Sequence, residues 1–164
     1  MSVIEWNSDD FMRDLGQTIN DGLEAAAIVF VDDVQERLNR QASNKTAKGG
    51  KPSQPGEPPA KDTGTLARSI TYSVEDGVMK YGVASGSPAN KYALTMEYGS
   101  RGPIKPKTAK MLSWVDKFTG QRIFARQVVI QPRPFLRPSL RSGSLPAQAA
   151  FQRTIRKLMS EWLD

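Results

Sequence analysis

Cysteine and histidine are both absent from the 164 residues. Their absence excludes disulfides, zinc held by thiolate or imidazole, a cysteine nucleophile, and every catalytic scheme built on a histidine base. Long apolar runs are missing too. The longest, Ala25 to Val31, is seven residues between Glu24 and Asp32, against the roughly 20 that a bilayer-spanning helix needs. Met1 to Trp6 has neither a basic stretch nor an apolar core, so no secretory signal is expected there. Proline and glycine are scarce at both ends: ten of 11 prolines and 11 of 13 glycines fall between Gly49 and Gly143. The ends are therefore free to be helical, and the middle is expected to hold only short elements.

What is present has the balance of a folded domain. With 38% hydrophobic and 24% charged residues, the chain can build one core without a disulfide or metal staple, so a single domain over 1–164 is expected. The net charge of +6 is unevenly placed. Residues 1–40 carry nine acidic side chains and three basic ones. Residues 101–141 carry ten basic side chains (Arg101, Lys105, Lys107, Lys110, Lys117, Arg122, Arg126, Arg133, Arg137, Arg141) against Asp116 alone. Such asymmetry implies contact with a polyanion, or head-to-tail contact between subunits.

The pattern predicts a long helix over 8–42. Asn7 and Ser8 are N-cap types, and Asp9 and Asp10 suit the positive helix N-terminus. Phe11, Leu15, Ile19, Leu23, Ala27, Phe30, Val34 and Leu38 then form one apolar stripe. Either the whole stripe packs into the core, or part of it is covered by a neighbouring subunit. Residues 43–61 follow as an extended, lysine-rich loop set by Gly49, Gly50 and the four prolines Pro52, Pro55, Pro58 and Pro59, with its first part expected to be mobile. Its Gly49-Gly50-Lys51 lacks the spacing of a phosphate-binding P-loop.

Residues 62–140 read as a sheet region. Asp62 to Ser69 is a capped helical turn. Ile70, Tyr72 and Val74 alternate with polar residues as a strand, Glu75-Asp76-Gly77 is a hairpin turn, and Met79, Tyr81 and Val83 return. Asn90 to Glu97 is a two-turn helix closed by Gly99. Met111–Val115 and Arg122–Ile130 are two further strands, stopped by Pro132, Pro134 and Pro138. A last helix is expected over 145–163, with Pro146 in its first turn and Phe151, Ile155, Leu158 and Trp162 on one face. The fold class is α+β: a long N-terminal helix, one antiparallel sheet of about four strands with short helices, and a C-terminal helix.

Little catalytic chemistry is left. The adjacent pairs Asp9-Asp10 and Asp32-Asp33 point about 100° apart on a helix and do not converge; both are read as solvated helix face. Glu97, beside Tyr98 and Gly99, is the one acid in an aromatic and glycine setting, and pairing with an arginine suits it better than acid–base work. No spacing supports a Ser–Lys dyad. No catalytic, metal-binding or cofactor-binding residue and no cofactor is therefore expected. The candidate contacts for a polyanion or a neighbouring subunit are Arg101, Lys105, Lys107, Arg122, Arg126, Arg133 and Arg137. They lie on loops and strands, with no recognition helix among them, which fits non-specific backbone contact better than sequence reading.

Six motifs recur in a fixed order. Pro55-Gly56-Glu57-Pro58-Pro59-Ala60 comes first, followed by Asp62-Thr63-Gly64 with Leu66, Ser69 and Ile70. Tyr92-Ala93, Glu97-Tyr98-Gly99-Ser100 and Leu112-Ser113-Trp114 come next. Ile123-Phe124-Ala125-Arg126 and Pro132-Arg133-Pro134-Phe135-Leu136-Arg137-Pro138 complete the set. Over residues 53–140 the chain resembles the tail-completion (neck, head–tail joining) proteins of lambda-like long-tailed bacteriophages. Two features depart from that pattern: residues 41–51 are longer and richer in lysine, and the loop 101–107 is more basic.

The resemblance implies a structural virion protein with no active site, located at the neck at the top of the tail and made in the host cytoplasm. It implies a homo-oligomeric ring, six copies in the family's usual form. Its partners would be copies of itself and other neck and tail proteins (tail terminator, connector or stopper, tail tube), with non-specific contact to genomic DNA and none to a membrane. It gives structural roles to Pro55, Gly56, Pro58, Thr63, Gly64, Leu66, Tyr92, Glu97, Gly99, Trp114, Phe124, Pro134, Phe135, Leu136 and Pro138. The alternative from the residues alone is a non-specific nucleic-acid-binding protein that uses the basic region 101–141.

Overall fold

A computed structural model describes residues 7–40, 53–116 and 119–161. The expectations for 41–52, Lys117 and Trp162 lie outside these described residues. The fold is mixed α+β, with a long helix at each end, two small antiparallel sheets and two short helices between them.

Helix α1 (Ser8–Arg40) begins where its cap places it. The Asn7 side-chain carbonyl accepts the backbone N–H groups of Asp9 and Asp10, at 3.1 and 3.3 Å. The expected apolar stripe is buried from Ala27 through Phe30, Val34 and Leu38. Upstream the buried positions pass to Thr18, Gly22 and Ala26, while Phe11 and Ile19 are 39% and 37% exposed. Packing against the last helix, α4 (Leu136–Glu161), explains the shift. A Cβ on Gly22 would lie 2.8 Å from the Phe151 ring, and one on Gly143 would lie 2.9 Å from the Phe30 ring. Glycine on each helix thus lets an aromatic ring of the other sit against the backbone.

Helix α4 corrects the expectation of a start at residue 145. It starts nine residues earlier, at Leu136, and contains both Pro138 and Pro146. Pro138 lies in the first turn, where a missing N–H removes no intrahelical bond, so it does not stop the chain there. Pro146 sits in the interior, where the lost bond does cost stability. Ala147 beside it is buried with Ala26 and Phe30 of α1, and that contact keeps the helix continuous.

The middle of the chain supplies two sheets, not one of four strands. β1 (Ile70–Glu75) pairs with β2 (Val78–Val83), and β3 (Leu112–Val115) pairs with β4 (Arg122–Ala125), both antiparallel. Asp76 and Gly77 turn the first hairpin with φ of 50° and 72°, the conformation a two-residue hairpin loop demands. Its Tyr81 stacks on Phe30 of α1 with centroids 4.9 Å apart, and Tyr72 donates to Glu24 of α1 at 2.6 Å. The first hairpin is therefore covered by α1.

The second hairpin packs substantially on no helix. The expected strand 122–130 also ends early, at Ala125. Beyond it the backbone joins the 100–104 loop only at Ile104–Val128 and Ser100–Ile130. Pro103 and Pro106 have no N–H to extend that ladder, and no strand pairing joins the two hairpins among the described residues. The short helices are α2 (Thr65–Arg68) and α3 (Asn90–Tyr98). Val34 and Leu38 of α1, Ala67 of α2, Ile70 of β1, Ala93 of α3 and Phe135 share one core cluster.

Candidate functional site

Three places collect the residues singled out by the sequence: a polar junction at the start of α4, an apolar cleft beside α2, and the basic second hairpin.

The junction is built on Glu97, which is only 2% exposed. Helix α3 is closed by Gly99 (φ 78°), and it delivers the Glu97 carboxylate to the first turn of α4. One carboxylate oxygen accepts the backbone N–H groups of Phe135 (2.8 Å) and Leu136 (3.0 Å). The other accepts Arg137 twice, from its N–H at 3.1 Å and its Nε at 3.0 Å. The first N–H groups of a helix have no partner in their own helix, and a negative group there also meets the positive end of the macrodipole. Burial pushes the Glu97 pKa up. The three backbone bonds and the Arg137 guanidinium outweigh that and hold it below the ordinary carboxylate value. Both oxygens are engaged, so the group clamps two helices together.

Arg137 also donates to the Glu97 backbone carbonyl at 2.9 Å and stacks over Tyr98, 4.7 Å from the ring centroid. Next to it, Arg133 reaches back 80 residues and donates to the Ser53 hydroxyl and carbonyl oxygens, each at 3.1 Å at the closest. Gly56 N–H donates to the Pro132 carbonyl at 2.9 Å. A Cβ on Gly99 would meet the Ile130 carbonyl oxygen at 2.7 Å, so only glycine fits between the two segments. The Pro55–Pro58 arm, the Glu97-Tyr98-Gly99 turn and the Pro132–Pro138 segment are one assembly. Pro134 is half-buried within it, and the Phe135 side chain is fully buried beneath.

The cleft has a volume of about 450 Å³ and is lined by Thr63, Gly64 and Leu66 from one motif, with Pro59, Tyr92 and Met96 across from them. Its lining is largely apolar. Lys61 at its edge donates to Asn39 of α1 at 3.0 Å. Nothing in it pairs two carboxylates or a nucleophile with a base. Among the described residues no group of three or more Asp or Glu is placed to hold a metal ion, and no helix is long and apolar enough to cross a membrane.

The seven basic candidates divide. Arg133 and Arg137 make ties within the fold, Arg133 to the Ser53 oxygens and Arg137 to the Glu97 carboxylate, although the Arg137 side chain stays half exposed. Arg101, Lys105, Lys107, Arg122 and Arg126 are exposed. Trp114 and Phe124, given structural roles by the resemblance, stand on the second hairpin with 40% and 59% exposure. Asp33 also departs from a purely solvated reading. It accepts Arg37 at 2.7 Å and Ser142 of α4 at 3.1 Å. Burial raises its pKa, and these bonds bring it below the usual value.

The sequence reading missed Ser53, Gly22 and Gly143. Nothing in the sequence marks Ser53, because its partner lies 80 residues away. Gly22 lies inside the expected first helix, and Gly143 lies outside the expected bounds of the last one; glycine on a helix face otherwise built for burial marks a close approach. Comparison with family models, with curated proteins and with solved structures finds no match to this chain.

Proposed function

We propose that this chain is a structural subunit of the neck of a long-tailed bacteriophage, a ring-forming tail-completion or head–tail connector protein that helps join tail to capsid. The observation that carries the reading is the polar junction. Motif segments up to 80 residues apart meet there through Glu97, Gly99, Arg133 and the Gly56–Pro132 bond. An ordered set of motifs with one shared structural purpose supports the family resemblance better than scattered matches do. The surface is compatible with an assembly role. Met12, Leu94, Val115, Phe124 and Leu145 are each more than half exposed, and a subunit inside a closed ring covers two different faces of itself.

The test is deletion of the coding sequence from the phage that carries it, followed by electron microscopy of the lysate. Filled heads and tails that fail to join, or tails with a defective upper end, are expected. Infectious particles of normal appearance that lack the protein would rule the reading out. A second reading, a nucleic-acid-binding protein with no place in the virion, is favoured by the exposed cations of the second hairpin and its flanking loop. Normal particles, together with loss of a nucleic-acid-dependent step in the cell, would favour it.

A further inference from the structure

The second hairpin carries a surface that nothing in the fold uses. Strand pairing sets Ser113 opposite Phe124 and Val115 opposite Arg122. Alternate residues of a strand share a face, about 6.6–6.8 Å apart. Arg122 and Phe124 therefore stand together on one face, with Val115 and Ser113 beside them, and all four are exposed. Arg126, also exposed, follows at a bend just past the strand end. The Ile104–Val128 bridge then brings the 101–107 loop alongside, adding Arg101, Lys105 and Lys107. The result is an exposed arginine–phenylalanine pair with four further exposed cations on the segments that adjoin it.

These cations have no acidic partner among the described residues. The acidic helix α1 of a second copy is the other conceivable complement, but its carboxylates are largely engaged at home. Arg13 bridges Asp10 and Asp14 at 2.8 and 3.4 Å, and Gln17 donates to Asp21 at 2.9 Å. Tyr72 holds Glu24, Arg37 holds Asp33 and Arg40 holds Glu36. What the hairpin lacks is a run of negative charge that brings a flat, stackable group to Phe124. A single strand of nucleic acid offers both, since its phosphates meet the cations and any unstacked base has a π-face for the ring.

We infer that the outer face of the β3–β4 hairpin, with Arg122 and Phe124 at its centre and Arg126, Arg101, Lys105 and Lys107 at its edge, is a site for single-stranded nucleic acid without sequence preference. The site depends on neither reading of the overall function, because a neck subunit and a free-standing binder could both carry it.

The probe is a fluorescein-labelled single-stranded DNA of mixed sequence, titrated with the full chain by anisotropy between 50 and 300 mM salt, with the same sequence as duplex alongside. Single-strand binding that weakens as salt rises is expected, with a logarithmic slope of roughly −3 to −4 for about five phosphate contacts. The single strand should be preferred over the duplex. Replacing Lys105, Lys107, Arg122 and Arg126 together by Gln should lower affinity at least tenfold and flatten the slope by about 3. Phe124→Ala should cost the single strand about tenfold and leave the slope unchanged. Arg153→Gln with Arg156→Gln, on α4, should change neither. Circular dichroism and melting temperature report whether each variant is folded. No binding of the single strand by the unaltered chain overturns the site. So does equal binding of single strand and duplex, or equal weakening by the α4 control. Loss of self-association in the four-fold variant with DNA binding retained would assign the surface to an acidic protein face instead, and would equally overturn it. Failure here leaves the particle-deletion experiment unaffected, so the two ideas fall separately.

Discussion

Glu97 shows how one side chain can decide where a helix starts. Its carboxylate satisfies three successive N–H groups at the start of α4, the first of them on fully buried Phe135 just ahead of the helix. Losing a helix cap costs about 1–2 kcal/mol, and leaving a buried donor unpaired adds about 1–3. Glu97→Ala is therefore expected to lower stability by roughly 2–5 kcal/mol in urea unfolding. The same contacts predict a pH dependence. The folded pKa of Glu97 is depressed, so its contribution is complete above the unfolded value of about 4.3. That contribution is lost as pH falls through this value to the lower folded one. Asp33 adds an effect of the same sign. The loss of stability between about pH 6 and 3 should be smaller in Glu97→Gln than in the parent. An unchanged loss would mean that this carboxyl is not linked to unfolding. Phe135 sits at the same place on the core side with no exposed surface, and Phe135→Ala should cost about 3–5 kcal/mol. An unchanged melting temperature would contradict its burial.

At the scale of elements, the two prolines of α4 are expected to behave in opposite ways. Pro138 occupies the first turn, where no intrahelical donor is needed. Pro138→Ala should cost no more than about 1 kcal/mol, mainly through a freer unfolded chain. Pro146 removes a bond that the interior of α4 would otherwise make. Pro146→Ala should therefore stabilise the protein by about 1–3 kcal/mol, short of the full helix-interior penalty of proline because the site has adapted to the ring. Paired thermal melts of the two variants check this directly. A stabilising Pro138→Ala or a destabilising Pro146→Ala would show that the helix bounds are misplaced. The hairpins differ for a related reason. An isolated two-stranded hairpin is marginal in water. β1–β2 is supported by Phe30 stacking on Tyr81, while β3–β4 leaves Val115 and Phe124 more than half exposed.

For the whole molecule, the long helices α1 and α4 pack antiparallel on each other, and α1 also covers the first hairpin. The large apolar residues left outside are spread over several elements. Leu94 lies on α3 and Leu145 on α4, at 64% and 76% exposure. Leu94→Asp and Leu145→Asp should change folding stability by less than about 0.5 kcal/mol, as for surface positions away from any packed contact. If the neck reading holds, at least one of them should reduce the yield of joined particles in complementation. Full complementation by both would remove these positions from any subunit contact.

Much of the fold was legible in local pattern. The cap at Asn7, the Asp76-Gly77 turn and the close of α3 at Gly99 each depend on neighbours a few residues away, so the sequence alone determined them. The alternation of β1, β2 and the tip of β3–β4 was equally local. The start of α4 was not legible, because it is set by a carboxylate that arrives from 38 to 40 residues upstream. Only the tertiary structure separated the basic residues into two groups. Arg133 and Arg137 look like their neighbours in the sequence, yet each finds an acceptor across the fold, while Arg122 and Arg126 find none among the described residues. The division into two sheets belongs to the same class. Alternation shows that a strand will pair, but the partner is decided by segments that only folding brings together. A side chain's type and spacing are written in the chain; whether its charge or its apolar face is already spent depends on what folding brings beside it.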